Sequence, residues 1–485
     1  MEPKLEEVLK AAADGRYKKY PVCRRIRCER TPTEIAKVLM NVSSHCFLLE
    51  SVDEDKNWGR YSFLGYEPSL AISCKNRTMR IGDLELTTED PASYIRQVME
   101  ANRSPKVPGM PSFTGGLVGY FAYDYMKYAE PSVKLNAKDD EGFQDLDLML
   151  FDKVIAFDRA DGCVVLIVNV DLKAPETSFN MARFELDKME SLVVNGEPKR
   201  GLSGRMTSDI RQLFGQERYC SMVEEAKRHI FDGDIFQIVL SNRLEADFEG
   251  SLFGAYMRLR EINPSPYMFY FSGTDMEVAG SSPETLVKLE DGVLHTFPLA
   301  GTRPRGKTPE EDAELERGLL ADVKELAEHD MLVDLGRNDI GKISRFGTVE
   351  VERFHSIQRF SHVMHIGSTV RGEIREGMDA LDAVGSILPA GTLSGAPKIM
   401  ASRLINKLEN NKRGIYGGAI GYIDLAGNLD TAIAIRIAYR KNGKVFVRSG
   451  AGIVADSVPE KEYKECLDKA AAVVAALKAA GGDDQ

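Results

Sequence analysis

Cysteine is scarce in this chain and offers no disulfide framework. The seven cysteines, at 23, 28, 46, 74, 163, 220 and 466 of 485 residues, are scattered and odd in number. None forms a CxxC pair, and Cys23 with Cys28 lacks the second pair that a zinc site needs. This usage fits reduced thiols in the cytoplasm. Tryptophan occurs once, as Trp58, and reads as packing. Long apolar runs are missing. None approaches the ~20 residues of a membrane span, and the best candidate, Cys163–Val168, stops at Asn169 as a buried strand would. The opening MEPKLEEVLKAAADGRYKKY is charged and periodic, unlike a signal peptide. A basic surplus is missing too. Lys plus Arg number 63 against 74 Asp plus Glu, a formal net charge of −11. That argues against nucleic-acid or anionic-membrane binding. An anionic small molecule stays compatible, because local cations decide its binding. There is no Walker A loop, no GxGxxG between a strand and a helix, and no GxSxG nucleophile elbow.

What is present is an ordinary globular composition, long enough for roughly two to three domains and a large core. Helices are expected over 5–12, after Thr31-Pro32-Thr33-Glu34 with Thr31 or Thr33 as cap, over 176–194 and over 217–232. Residues 68–88 alternate and turn like a β-meander. The Gly-rich, aromatic stretch from Gly115 to Tyr123 predicts close backbone approach within a sheet. Leu148–Asp158 and Cys163–Asp171 read as a hairpin. The stretch NGEPKRGLSGR (195–205) is the clearest linker, and places a domain boundary near residue 200. Strands in runs with separate helices predict an α+β fold. The tail 481–485 reads as disordered.

Three glycine-bearing loops follow the linker: PLAGTRPRG (298–306), PAGTLSGAPK (389–398) and SGAGIV (449–454). Backbone N–H groups in such loops can hold carboxylate oxygens. Each alone reads equally well as a tight turn; three in one domain favour a site. Glu325 and Glu328 lie three apart on a helical pattern, and so do Glu462 and Glu465. The second pair opens a helix with Ser457 and Glu460 as a capping box, Pro459 in its first turn, and an apolar stripe through Tyr463, Leu467, Ala470, Val474 and Leu477. On spacing alone these pairs read first as solvated acidic faces, with Glu465–Lys469 as an i,i+4 ion pair. The alternative is a hard-cation site. His362 and His365 sit on a strand-like stretch and face opposite ways, so a shared metal is not expected. Either could act as a general base or as a satisfied structural residue.

The motifs together resemble the large component of anthranilate synthase, within the chorismate-utilising enzymes. The resemblance is carried by LLES (48–51), RYSFLG (60–65), FQIVLS (236–241), NPSPYM (263–268), GSSPE (280–284), PLAGTRPRG (298–306) and KELAEHDMLVDLGRND (324–339). It continues through HVMHIGSTVRG (362–372), PAGTLSGAPK (389–398), GIYGGAIGYID (414–424), IRIA (435–438) and GAGIVADSVPEKEYKE (450–465). It implies two orthogonal antiparallel β-sheets sandwiched by helices. A tryptophan-binding regulatory domain would occupy 1–200 and a chorismate-binding catalytic domain 201–485.

The same resemblance implies Mg²⁺ on Glu328 and Glu465, supported by Glu325 and Glu462. Arg436 and Tyr416 would hold the enolpyruvyl carboxylate. Ala300, Gly301, Thr302, Gly450, Ala451 and Gly452 would line the substrate, with Thr392 and Lys469 beside it. His365 and Glu284 would move protons. Water-adding relatives carry a Lys base where this chain has Gln237, and para-aminating relatives a nucleophilic Lys where it has Ala300. The resemblance therefore implies direct ortho amination of chorismate, giving anthranilate and pyruvate at the start of tryptophan synthesis. Ammonia would come from a separate glutamine amidotransferase subunit in a heterotetramer, since no glutaminase Cys-His-Glu set is visible. Tryptophan would bind at Leu49, Glu50, Ser51, Pro266, Tyr267 and Met268 as feedback inhibitor. The competing readings are an aminodeoxychorismate synthase component and an inactive tryptophan-binding subunit.

Overall fold

The computed structural model describes residues 1–51, 59–359 and 363–481. Trp58, His362 and residues 482–485 lie outside the described residues. Two antiparallel sheets, of 13 and 12 strands, dominate the fold. Period-2 alternation explains the layers, since successive side chains on a strand face opposite ways. Phe47, Phe269 and Phe271 of the larger sheet meet Val118, Tyr120, Met149 and Ile420 of the smaller one in a shared core. Their neighbours Leu48, Met268 and Tyr270 face outward onto helices Pro32–Val42 and Phe253–Ile262. On the far side, Leu117, Leu148 and Ile423 pack under helices Pro91–Ala101, Val323–Gly341 and Ala380–Ile387. The order is helices, sheet, sheet, helices, the α+β sandwich expected.

Both sheets draw strands from either side of residue 200. Cys46–Glu50 pairs with Tyr267–Ser272 in the larger sheet, and Gly116–Phe121 pairs with Ala419–Asp424 in the smaller. The expected linker connects helix Pro175–Asn195 to the short strand Gly204–Met206. Five helices start on a proline, at 32, 91, 175, 309 and 459. There the missing N–H costs nothing and the fixed φ suits a helix. Thr31 and Glu34 form a reciprocal capping box. Gly119 has no room for a side chain, because a Cβ would sit 2.0 Å from the Asp147 carbonyl oxygen.

Three local expectations fail. The glycine stretches at 298–306 and 449–454 are not loops: they lie largely in strands Leu299–Pro304 and Lys444–Ile453, because glycine tolerates close backbone approach within a sheet as well as a turn. The apolar run 148–158 is not one strand. Leu146–Phe151 belongs to the smaller sheet and Lys153–Asp158 to the larger, with Asp152 at the crossing. A run buried on both faces reads the same whether it stays in one sheet or changes sheet. The helix Pro459–Ala480 has Val458 at its N-cap position and no side-chain cap; the Ser457 hydroxyl instead accepts from the Val454 N–H at 3.1 Å. Its buried stripe runs through Cys466, Ala470, Val473, Leu477 and Ala480, one position round from Val474. The helix packs against two others, Gln216–Phe231 and Phe253–Ile262, so its core face is broader than a single stripe. All seven cysteines are free. No helix among the described residues is long and apolar enough to cross a membrane.

Candidate active site

The first wall of the site is the start of helix Val323–Gly341. Asp322 caps it, accepting from the N–H groups of Lys324 and Glu325 at 3.1 and 3.2 Å. Glu325 and Glu328 then share the first turns. Strand Leu299–Pro304 runs alongside, with Arg303 bridging Asp322 (2.7 Å) and Glu325 (3.3 Å). Gly301, at φ +69°, would place a Cβ 3.2 Å from the Glu325 carboxylate, so backbone and carboxylate approach closely there.

The second wall is the long antiparallel pair Gln237–Gly250 and Lys444–Ile453. Gln237 donates to Glu328 at 3.1 Å, tying this pair to the first wall. A Cβ on Gly452 would meet the Gln237 amide at 2.9 Å, and one on Gly450 the Tyr416 hydroxyl at 3.1 Å. Glycine keeps this backbone open between the amide and the phenol, with Ala451 buried between the two. Lys469 reaches the Gly450 carbonyl at 3.2 Å and Glu465 at 2.6 Å, the i,i+4 pair read from sequence. Arg436 donates to the Lys469 carbonyl and sits at φ +53°. A non-glycine residue in that region costs about 1–3 kcal/mol and is kept where a side chain must be aimed.

Between the walls lie the groups that could move protons. His365, on strand Val363–Glu373, donates from Nδ1 to the Gly301 carbonyl at 3.0 Å, with the Thr302 hydroxyl at 3.1 Å. That tautomer leaves the lone pair on Nε2. Burial lowers the pKa of His365, and Arg436 and Lys469 lower it further, so the ring is a neutral base. Glu284 is buried between two strands and pushed up to about 8 by burial, against a 3.1 Å hydrogen bond from Thr392. It is a protonated acid at neutral pH. Lys469 also acts electrostatically on Glu284, Glu328, His365 and Glu462, so one ammonium group links the set.

The glutamates stand as two pairs on two helices. Burial and then Glu325 raise Glu328. Burial and Glu465 raise Glu462 against a hydrogen bond from Ser457. Among the described residues no three Asp, Glu, His or Cys side chains come together as a ready cation cage. The donor chemistry, carboxylate oxygen with charge only partly offset by Lys469, suits a hard divalent cation.

A separate cavity of about 310 Å³ contains all six residues expected to bind the inhibitor: Leu49, Glu50, Ser51, Pro266, Tyr267 and Met268. The Ser51 hydroxyl is buried there without a hydrogen-bond partner among the described residues. Glu50 is already engaged, accepting from Tyr256 at 2.6 Å and Arg260 at 2.9 Å. The Tyr267 hydroxyl bonds Asp430 at 2.8 Å and Thr285 at 2.9 Å. Thr285 follows Glu284 directly in the chain. Sequence reasoning missed Lys288, Tyr422 and Asp430 in this cavity's lining. Tyr422 lies within GIYGGAIGYID, which by itself gives no sign of this cavity, and no local motif marks Lys288 or Asp430; all three arrive on neighbouring strands of the smaller sheet.

Residues 44–475 match the family model of the chorismate binding enzymes. The anthranilate synthase component 1 of Acetivibrio thermocellus is 44% identical, over 99% of this chain and 99% of that protein. The crystal structure of anthranilate synthase component I from Streptococcus pneumoniae TIGR4 is 36% identical and superposes with a TM-score of 0.74, over 86% of this chain and 92% of that one. The menaquinone-specific isochorismate synthase of Escherichia coli shares the fold at 19% identity, with a TM-score of 0.69 and 98% of each chain covered. With the family model matched over residues 44–475 and a relative 44% identical over 99% of its length, the chain belongs to the chorismate binding enzymes.

Proposed function

We propose that this chain is the large subunit of an anthranilate synthase, forming anthranilate and pyruvate from chorismate and ammonia, with glutamine as the ammonia source through a partner amidotransferase. The relatives named anthranilate synthase component 1 support the reading. The observation that carries it is Gln237. This neutral amide donates to Glu328 and cannot deprotonate water, whereas ammonia needs no activation.

Arg436 offers a planar fork to the enolpyruvyl carboxylate, with Tyr416 and the Gly450–Gly452 backbone beside it. Glu328 and Glu465 would hold Mg²⁺, with Glu325 and Glu462 in support; bound there, the ion supplies a Lewis acid for the ring carboxylate. Glu284 gives its proton to the departing ring hydroxyl as ammonia bonds to the carbon next to the carboxylate-bearing one. Thr392 orients that acid. His365 takes the hydrogen from the amine-bearing carbon through Nε2. The ether C–O bond then breaks, its oxygen takes up the proton that His365 removed so that pyruvate leaves as its enol, the Glu284 carboxylate recovers a proton from the new ammonium nitrogen, and the ring becomes aromatic.

The test mixes the purified chain with chorismate, Mg²⁺ and ammonium. Fluorescent anthranilate is expected. A para-amino product, or tryptophan binding without turnover, would reject the reading.

The cavity around Ser51 is the proposed tryptophan site. Its unpartnered hydroxyl is placed to hold the amino-acid head group. A hydrogen bond to a charged group is worth about 1.5–3 kcal/mol. Ser51→Ala should therefore raise the half-inhibiting tryptophan concentration by about tenfold or more, measured at the variant's own KM for chorismate. Unchanged inhibition would remove Ser51 from the site.

A further inference from the structure

Behind the substrate-facing surface lies a set of buried charges that the chemistry above does not use. Glu409, Arg413 and Arg448 are 3%, 2% and 1% exposed. Two guanidinium groups share one carboxylate. Arg413 donates to both Glu409 oxygens at 2.9 and 2.5 Å, and Arg448 donates to one of them at 2.8 Å. The same carboxylate accepts from the N–H and the hydroxyl of Ser241, at 2.8 and 3.0 Å. Buried charge sets of this kind rarely add stability, since apolar packing of equal volume serves as well. Their value lies in geometry.

That geometry centres on Arg413. Its remaining hydrogen bonds go to two main-chain carbonyls, Leu393 at 2.6 Å and Val239 at 2.8 Å. Leu393 follows Thr392, whose hydroxyl holds Glu284. Val239 lies on the strand that begins with Gln237. The guanidinium stacks over Tyr123 at 4.6 Å and lies 5.8 Å from the ring centre of Tyr416. One side chain, touching no substrate position, thus ties together the segments that carry Thr392, Gln237 and Tyr416.

We propose that Arg413, fixed by Glu409 and Arg448, is a positioning residue for the reaction, setting Thr392 against Glu284 from inside the fold. This inference rests on the anthranilate-forming reading. Lysine cannot replace it, because a single ammonium group cannot span two carbonyls and a carboxylate in one plane.

The test is a double-mutant cycle of Arg413→Lys with Thr392→Val, read as kcat and KM for chorismate. Arg413→Lys should lower kcat about tenfold or more, the value of one lost hydrogen bond from a charged group, and Thr392→Val about fivefold to tenfold, the value of one to the protonated Glu284. KM should stay within about threefold, since a group acting only on the transition state changes kcat. If Arg413 acts through Thr392, the double variant falls within about threefold of Arg413→Lys alone. Losses that multiply, or a raised KM with kcat intact, would overturn the proposal. Should Arg413→Lys fail to fold, Tyr123→Leu replaces it. That change removes the ring under the guanidinium and leaves every charge paired, and the same non-additivity with Thr392→Val is expected. A wild-type control that makes no anthranilate would instead reject the reaction assignment.

Discussion

Glu284→Gln should slow anthranilate formation by about 10²–10⁴-fold, the usual contribution of a positioned acid, and at the same time make the folded chain harder to melt above pH 8. Both effects have one cause. Burial holds the Glu284 carboxyl protonated, up to about pH 8 against an ordinary value of 4.5. In the unfolded chain the group ionises near 4.5. Its contribution to stability is therefore fully present below that pH, declines as pH rises, and is lost once pH passes the folded value near 8. Glutamine never ionises. The gap in melting temperature between variant and wild type should open from about pH 5, level off beyond pH 8, and correspond to a few kcal/mol. Wild-type turnover should fall through the same alkaline range, because the ionised group has no proton to give. Melting curves that run parallel at every pH, or a variant with wild-type kcat, would refute the role.

Chelating divalent cations should abolish turnover, and Mg²⁺ alone should restore it. Glu328→Gln should raise the Mg²⁺ needed for half-maximal activity by about 10–100-fold, as changes around a metal site commonly do. Glu328 carries this effect because it is the carboxylate that Gln237 orients, at 3.1 Å, and because burial and Glu325 both press against its charge. Under the proposed assignment, replacing it with an amide would remove one anionic donor from the proposed ligand set. Saturating Mg²⁺ should recover part of the rate. Wild-type activity in the variant at limiting Mg²⁺ would exclude Glu328 as a ligand.

Much of the architecture could be read in the residues, and what could not has identifiable causes. Alternation and helix-start residues located the meander at 68–88, the strand within 115–123 and the helices at 5–12, after Thr31, 176–194 and 217–232, since both reflect local geometry. The change of sheet at Asp152 could not be seen, because Leu146–Phe151 and Lys153–Asp158 are equally apolar and the corner depends on which partner strand each one meets. The cap of the last helix was misplaced because Ser457 has the right chemistry but spends its hydroxyl on Val454. At the cavity around Ser51, LLES and NPSPYM are contiguous segments and could be named, whereas Lys288 and Asp430 enter only through strand order. Arg413 was invisible for a different reason. In a chain with 63 basic residues, nothing local separates a guanidinium buried beneath a site from one in water.

The sharing of strands across residue 200 limits how this protein can be taken apart. A nick in the 196–203 connector would not release a regulatory piece, since Cys46–Glu50 remains zipped to Tyr267–Ser272 and Gly116–Phe121 to Ala419–Asp424. A fragment ending near residue 200 would present two raw sheet edges, which invite self-association. What the cavity around Ser51 binds can therefore be altered only through single side chains around it, not by deleting the segment before residue 200.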